Sequence, residues 1–233
     1  TDPDADRMGV AVRGHDGEFH TMTGNQIGAL LLQYIITALK SSGKMPPHPY
    51  AVKSFVSTEL VTKICAVENV RLFNVFTGFK FIGETIKNEE IPNDTEFIFG
   101  FEESYGYLRG IYARDKDAVV ATMLVCEMAA YYKKRGMTLS DAIDALYQKY
   151  GCYYDDVDNI YMKGLDGLEK MKRIMDGLRA NLFREFCGRT VDEITDYSIP
   201  KTYDMKLHTE KETGTGTTNT CLLYTSPSPR DRG

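Results

Sequence analysis

The sequence has no pair of cysteines at the C-x-x-C spacing of a zinc site or redox motif. Its five cysteines, Cys65, Cys126, Cys152, Cys187 and Cys221, fall at wide intervals, which also argues against a dense disulfide framework. A reducing cytoplasm is the expected compartment. Basic clusters are missing as well: 28 Lys and Arg are scattered among 33 Asp and Glu, with a formal net charge of −5, so no nucleic-acid partner is expected. No stretch reaches the roughly 18 consecutive apolar residues of a membrane span. The nearest, IGALLLQYIITAL, is interrupted by Gln33 and is too short, so no membrane partner is expected. The opening residues do not read as a signal peptide.

What is present is ordinary globular material, 42% hydrophobic and 26% charged over 233 residues, enough for one large domain or two smaller ones. The ends differ from the middle. No methionine precedes the opening TDPDADRMGVAVRG, which begins inside a dense acidic motif. At the other end CLLYTSPSPRD, residues 221–231, resembles a translated transposase sequencing adaptor, although its Ser and Pro content also fits a disordered linker. Residues 213–233 are therefore expected to be a low-complexity, adaptor-like, non-native tail, with 221–233 outside the fold, and the chain to be an internal piece of a longer one.

Between the ends, strands and helices alternate. MGVAVR reads as a strand followed by a turn at Asp16 and Gly17. Thr23 or Asn25 caps a helix with Ile27, Leu30, Leu31, Tyr34, Ile35, Ala38 and Leu39 at helical spacing, and Gly43 ends it. YAVKSFVS reads as a strand, with Ser57 or Thr58 capping the helix ELVTKICAVE. VRLFNVF, helix KFIGETIKNEE, strand EFIFGF and helices over about 117–134 and 139–150 follow. Strands separated by such helices predict an α/β fold: a mixed, mostly parallel sheet covered on both faces. A second unit is expected from residue 157, with an amphipathic helix presenting Leu168, Met171, Ile174, Met175 and Leu178, and a strand TVDEITDYS. Cut short there, it is expected to expose an unpaired edge and an apolar face.

In such sheets ligands gather at the carboxyl ends of the strands. VKSFVST, NVFTGFK and FGFEESYGY all lie there, so three loops are expected to face one crevice. The opening motif supplies carboxylates: Asp2, Asp4 and Asp6 in D-x-D-x-D can surround a hard divalent cation, and Mg²⁺ at about 2.1 Å suits that ligand set. An EF-hand is excluded, because its sixth position would be Arg7 instead of Gly and its twelfth Arg13 instead of Glu. A solvated acidic turn is the plainer alternative, with Arg7 relieving the repulsion or holding a phosphate beside the metal. His15, His20, His48 and His208 have no ligand spacing and are expected to face solvent.

Taken in order, these motifs resemble the α-D-phosphohexomutases, the family of phosphoglucomutases, phosphomannomutases and a phosphopentomutase branch. DPDADR is similar to the family's metal-binding loop, TGFKFIG to its phosphosugar-contacting loop, and GFEESYG to its sugar-recognition loop. FGFEESYGYL and RDKDAV are closest to the larger phosphoglucomutases that overlap the phosphopentomutases. The resemblance implies the end of a second domain over 1–20, a third domain over 21–156 and the start of a fourth over 157–212. It implies a sugar-phosphate substrate, Mg²⁺ on Asp2, Asp4 and Asp6, a glucose 1,6-bisphosphate-type activator, and phosphoryl transfer between sugar 1-phosphate and 6-phosphate (5-phosphate for pentoses) through a phosphoserine outside this chain. Arg7, Lys53 and Lys116 are then candidate catalytic residues, and Thr77, Gly78, Lys80, Glu102 and Ser104 candidate substrate contacts. Ser104, in the sugar loop with no general base beside it, is not read as the nucleophile. Simpler readings stay open: Lys53 as an ordinary surface lysine, Lys116 as a helix-start ion pair with Asp115 or Asp117, TG as a common turn, and the whole as a noncatalytic sugar-phosphate or metal-binding module.

Overall fold

The computed structural model describes residues 1–90, 95–212 and 220–226. They divide into two compact units, Thr1–Val157 and Asp158–Gly233. Residues 1–20, expected to close a preceding domain, lie in the first unit.

That unit opens with an antiparallel hairpin of β1 (Val10–Arg13) and β2 (Phe19–Met22) around the expected turn. The second strand was not legible, because Phe19 to Thr21 are exposed and show no apolar alternation. Thr23 then starts α1 (Gly24–Ser41) with a reciprocal cap: its hydroxyl accepts from the Gln26 N–H, and the Gln26 side chain accepts from the Thr23 N–H. The chain continues as β3 (Pro49–Ser54), α2 (Glu59–Glu68), β4 (Arg71–Val75), α3 (Phe79–Glu90), β5 (Glu96–Glu102), β6 (Gly106–Leu108), α4 (Ala118–Lys133) and α5 (Leu139–Tyr150). The sheet order is β4-β3-β5-β6, with β3 parallel to both neighbours and only the three-residue β6 antiparallel, which is the mixed, mostly parallel sheet expected.

Helices cover both faces. Ala51, Phe99 and Phe101 pack with Ile27, Leu31, Ile64, Ala121 and Leu146 on one side. Tyr50, Val52 and Phe97 pack with Phe79, Ile82 and Ile86 of α3 on the other. Every residue of β3 is buried, the signature of a central parallel strand. The register of β5 against β3 shifts between Tyr50↔Phe97 and Ala51↔Phe99. Such a bulge re-aims the side chains beyond it: Phe99 and Phe101 join the α1 face, while Gly100 faces Ile82 of α3.

The second unit contains α6 (Gly164–Ala180), β7 (Glu185–Phe186), β8 (Arg189–Asp196), β9 (Lys201–Asp204), β10 (Thr209–Glu212) and β11 (Cys221–Ser226). Its antiparallel sheet runs β10-β9-β8-β11, with β7 paired to the start of β8. One expectation changes here. Residues 221–226, expected to lie outside the fold, form β11, which pairs along β8 from Cys221↔Asp196 to Ser226↔Thr190, while among the described residues the sheet stays open at β10 and β11. A free strand edge offers unpaired N–H and C=O groups, which a β-prone segment of any origin can fill. The rest of the expected tail, 213–219 and 227–233, lies outside the described residues. The apolar stripe of α6 is exposed at Leu168, Met171, Ile174 and Leu178, as expected. No helix among the described residues is long and apolar enough to cross a membrane.

Candidate functional site

The loops after β3, β4 and β5 leave the same end of the sheet, and the acidic opening segment is fastened beside them. The Met8 N–H donates to the Tyr105 carbonyl at 3.1 Å, Arg7 bridges to Gly106, and the Ala118 N–H at the start of α4 donates to the Ala5 carbonyl at 3.2 Å. Four stretches distant in sequence therefore meet: 2–8, 76–80, 102–106 and 115–118.

Within the acidic loop, Asp2 acts as an internal clasp. Its carboxylate accepts from the backbone of Asp6 (3.3 Å) and Arg7 (3.2 Å) and from the Arg7 guanidinium at 2.8 Å. Burial works to raise its pKa, but the bonds from Arg7 outweigh that and hold it below the usual range. Asp6 turns its Oδ2 to the Lys116 ammonium at 3.1 Å, while its buried Oδ1 makes no hydrogen bond and lies 3.6 Å from the Arg7 guanidinium. Asp4 is exposed. The three carboxylates thus share a loop without converging, and among the described residues no group of three His, Cys, Asp or Glu is arranged to hold a metal ion. The donor chemistry still suits a hard cation, and Asp6 Oδ1, which has an ion-pair contact but no hydrogen bond, is an atom that such an ion would satisfy.

Lys116 bridges this loop to the sheet. Its ammonium lies 3.1 Å from both Asp6 and Asp115 and 5.6 Å from the centre of the Phe79 ring. Burial pulls its pKa down, but the two carboxylates more than offset this and raise it. The ion pair at a helix start is therefore with Asp115, whereas Asp117 caps α4 by accepting from the Val119 and Val120 N–H groups. Gly106 is required where it stands, because a Cβ there would lie 2.4 Å from the Lys116 side chain.

Glu102 ends β5 on the α3 side and is only 6% exposed. Its Oε1 accepts from the Gly78 N–H at 2.6 Å, a bond made possible by the positive φ of Gly78. Burial is the main cause of its raised pKa; the Gly78 bond opposes the shift, the Glu103 charge adds to it, Lys116 opposes it and Asp115 adds to it. Thr77, Lys80 and Ser104 are exposed around it, with the Lys80 ammonium 4.8 Å from the centre of the Phe81 ring. Lys53 differs from both of its sequence readings. It is fully buried, neither aimed at the crevice nor at the surface, and donates to the Ser57 carbonyl at 2.9 Å and to Glu59 at 3.3 Å. The β3–α2 loop closes over the end of its own strand, so an ammonium expected in front of that loop lies beneath it. All four histidines are exposed.

The sequence reading overlooked Glu103, whose Oε2 accepts from Ser54 at 2.8 Å, and Asp155, whose carboxyl bonds the Thr58 side chain and is raised chiefly by burial. Two adjacent glutamates at a strand end must face opposite sides, which was the available signal for Glu103. As assembled, the site offers an exposed guanidinium and ammonium suited to phosphate, and a buried carboxylate beside an exposed hydroxyl suited to adjacent sugar hydroxyls.

Comparison with known proteins places this geometry. Residues 23–150 match the family model described as phosphoglucomutase/phosphomannomutase, alpha/beta/alpha domain III. Phosphoglucomutases of two Staphylococcus aureus strains are 38% identical over 213 and 212 residues, covering 91% of this chain and 37% of theirs. A phosphomannomutase-like protein of Thermus thermophilus superposes with a TM-score of 0.50 at 25% identity, over 70% of this chain and 34% of that one. The chain spans about 37% of the length of the curated relatives it matches.

Proposed function

Because this chain belongs to the phosphoglucomutase/phosphomannomutase family, whose alpha/beta/alpha domain III it contains, we propose that it is part of an intramolecular phosphotransferase acting on sugar phosphates. The reaction interconverts sugar 1-phosphate and sugar 6-phosphate, or 5-phosphate for pentoses, through a bisphosphate and an enzyme phosphoserine that residues 1–233 do not supply. The meeting of the acidic loop, the Gly78 loop, the Glu102 loop and Lys116 at one end of the sheet carries this reading.

Phosphoryl transfer needs alignment and charge neutralisation more than covalent help from the protein. Glu102 and Ser104 present an acceptor and a hydroxyl to two neighbouring sugar hydroxyls, a pair that stays similar when the ring is turned between the two half-reactions. Thr77, Gly78 and Lys80 contact the phosphosugar, and Arg7 steadies a phosphate at the edge of the acidic loop. Lys116, between Asp6 and Asp115, is positioned to hold or pass a proton at the reacting hydroxyl. Asp2, Asp4 and Asp6 would hold Mg²⁺, which when bound supplies positive charge at the transferring phosphate. The wide spacing of the five cysteines supports a reducing cytoplasm as the compartment.

The test is turnover by the full-length protein on the 1-phosphates of glucose, mannose, ribose and deoxyribose, with Mg²⁺ and glucose 1,6-bisphosphate supplied. At least one is expected to be converted, with Glu102→Ala abolishing turnover while leaving Mg²⁺ affinity nearly unchanged. Residues 1–220 alone are expected to be silent. Failure on every sugar overturns the proposal.

A further inference from the structure

We propose that Glu103 is a positioning residue that locks the loop carrying Glu102 and Ser104 to the loop following Lys53, so that the two keep one arrangement. The inference rests on the phosphosugar reading above and adds to it a residue that touches no substrate.

The bulge in β5 sets the geometry. Beyond it Phe99 and Phe101 face α1, so Glu102 faces α3 and Glu103, one residue on, is aimed back toward the end of β3. There Ser54 and Ser57, 0% and 3% exposed, share a hydrogen bond at 2.7 Å. Two buried hydroxyls have two protons; one joins the serines to each other and the second needs an outside acceptor. Glu103 Oε2 is that acceptor, 2.8 Å from Ser54 Oγ and 3.4 Å from Ser57 Oγ. The carbonyl of Ser57 in turn receives the buried Lys53 ammonium at 2.9 Å. A continuous line of bonds therefore runs from Lys53 through Ser57 and Ser54 to Glu103, next to the two sugar-gripping side chains. Glu102 is held separately, by the Gly78 N–H. Adjacent carboxylates thus anchor one turn to two different loops, and losing the Glu103 anchor frees the turn on one side only.

The experiment uses the 233-residue chain with Glu103→Ala, Glu103→Gln and the double variant Ser54→Ala/Ser57→Ala. Amide hydrogen exchange without ligand reads the coupling, and calorimetric titration with glucose 1-phosphate reads its use. Glu103→Ala is expected to speed exchange about tenfold in residues 55–58 and 103–106 together, the scale of one charge-assisted hydrogen bond, while α5 is unchanged. Glu103→Gln, whose amide oxygen still accepts, should restore most of the protection. Added to the double serine variant, Glu103→Ala should change nothing more. Glucose 1-phosphate should bind Glu103→Ala about tenfold more weakly. Unchanged exchange in either loop, or a rise throughout the unit, overturns the proposal. If the variants show the expected exchange pattern but the unaltered chain binds no glucose 1-phosphate, the coupling is upheld and the phosphosugar reading is overturned instead.

Discussion

Lys53 and Lys116 stand in similar places, each in a segment that leads into a helix, with Thr58 and Asp117 as the respective caps. Their surroundings differ. Lys53 is fully buried and donates to the Ser57 carbonyl in the loop that follows its strand and to Glu59 at the start of α2. The Lys116 side chain is 19% exposed and bridges Asp6 of the opening loop to its neighbour Asp115. The first charge closes a piece of the fold, whereas the second joins parts of the site and remains within reach of a ligand. Residue type and a position at a strand or helix end do not distinguish these roles; the partners do.

The strongest way to break that contrast is through stability. Lys53→Ala removes a buried stem and leaves the Ser57 carbonyl without its donor, and is expected to cost about 3 kcal/mol. Lys116→Ala is expected to cost less than about 1 kcal/mol, because its partners are partly solvated. Urea unfolding followed by circular dichroism measures both, and similar losses would erase the distinction. Turnover should show the reverse order. In the full-length protein, Lys116→Ala is expected to lower kcat on the order of a hundredfold with KM little changed, the usual scale for losing a proton-transfer group. An equal kcat loss in a Lys53 variant that remains folded would place both lysines in the chemistry.

Much of the scaffold was legible because local signals agreed. YAVKSFVS, read as a strand, contains all of β3 but Pro49, and Thr23 and Thr58, each one of two cap candidates in the sequence, cap α1 and α2, while Asp117 and Thr138 add caps at the starts of two helices read by their periodicity. The short strands β2 and β6 were not legible, since one is mostly exposed and the other has three residues. The site was legible as an ordered set of loops. The orientation of Lys53 was not, because it depends on how the following loop closes; alternation separates Glu102 from Glu103, but which side each faces depends on a bulge whose position EFIFGFEE does not fix. Likewise the pairing of Cys221–Ser226 depends on which edge is open, a property of the assembled sheet.

A third ionic group sharpens the comparison away from the site. Glu68 inverts Lys116: a carboxylate between two ammonium groups, Lys40 at 2.7 Å and Lys149 at 3.1 Å, with the Tyr150 hydroxyl at 2.8 Å. Burial works to raise its pKa, but these hydrogen bonds prevail and hold it down to about 2. With the folded value depressed from 4.5, its contribution is present above about pH 4.5 and is lost as pH falls toward 2. Glu68→Gln should therefore flatten the acid side of the stability profile by roughly 2 kcal/mol between those limits. If the acid limbs of Glu68→Gln and the unaltered chain coincide, the cluster does not hold the carboxylate as described.

The smallest effect tests the two caps themselves. Asp117 accepts from the Val119 N–H at 2.8 Å and the Val120 N–H at 3.1 Å with a charged side chain, while Thr58 accepts from the Leu60 N–H at 3.2 Å with a neutral one. In a Tyr112→Phe background, which takes away the hydroxyl bonded to the other carboxylate oxygen, Asp117→Asn keeps an acceptor at the start of α4 and removes only the charge, whose attraction to the helix N-terminus and to the nearby Lys116 side is electrostatic. The expected loss is about 0.5 kcal/mol at low salt, shrinking toward zero near 1 M salt as the Debye length falls to about 3 Å. Thr58→Ser preserves the hydroxyl and removes one buried methyl, and its cost should not vary with salt, because no charge is changed. Urea midpoints for the two variants at low and high salt separate the cases. A salt-independent loss in Asp117→Asn would mean that the cap acts through its hydrogen bonds alone, leaving the Lys116–Asp115 pair to carry the electrostatics of that helix start.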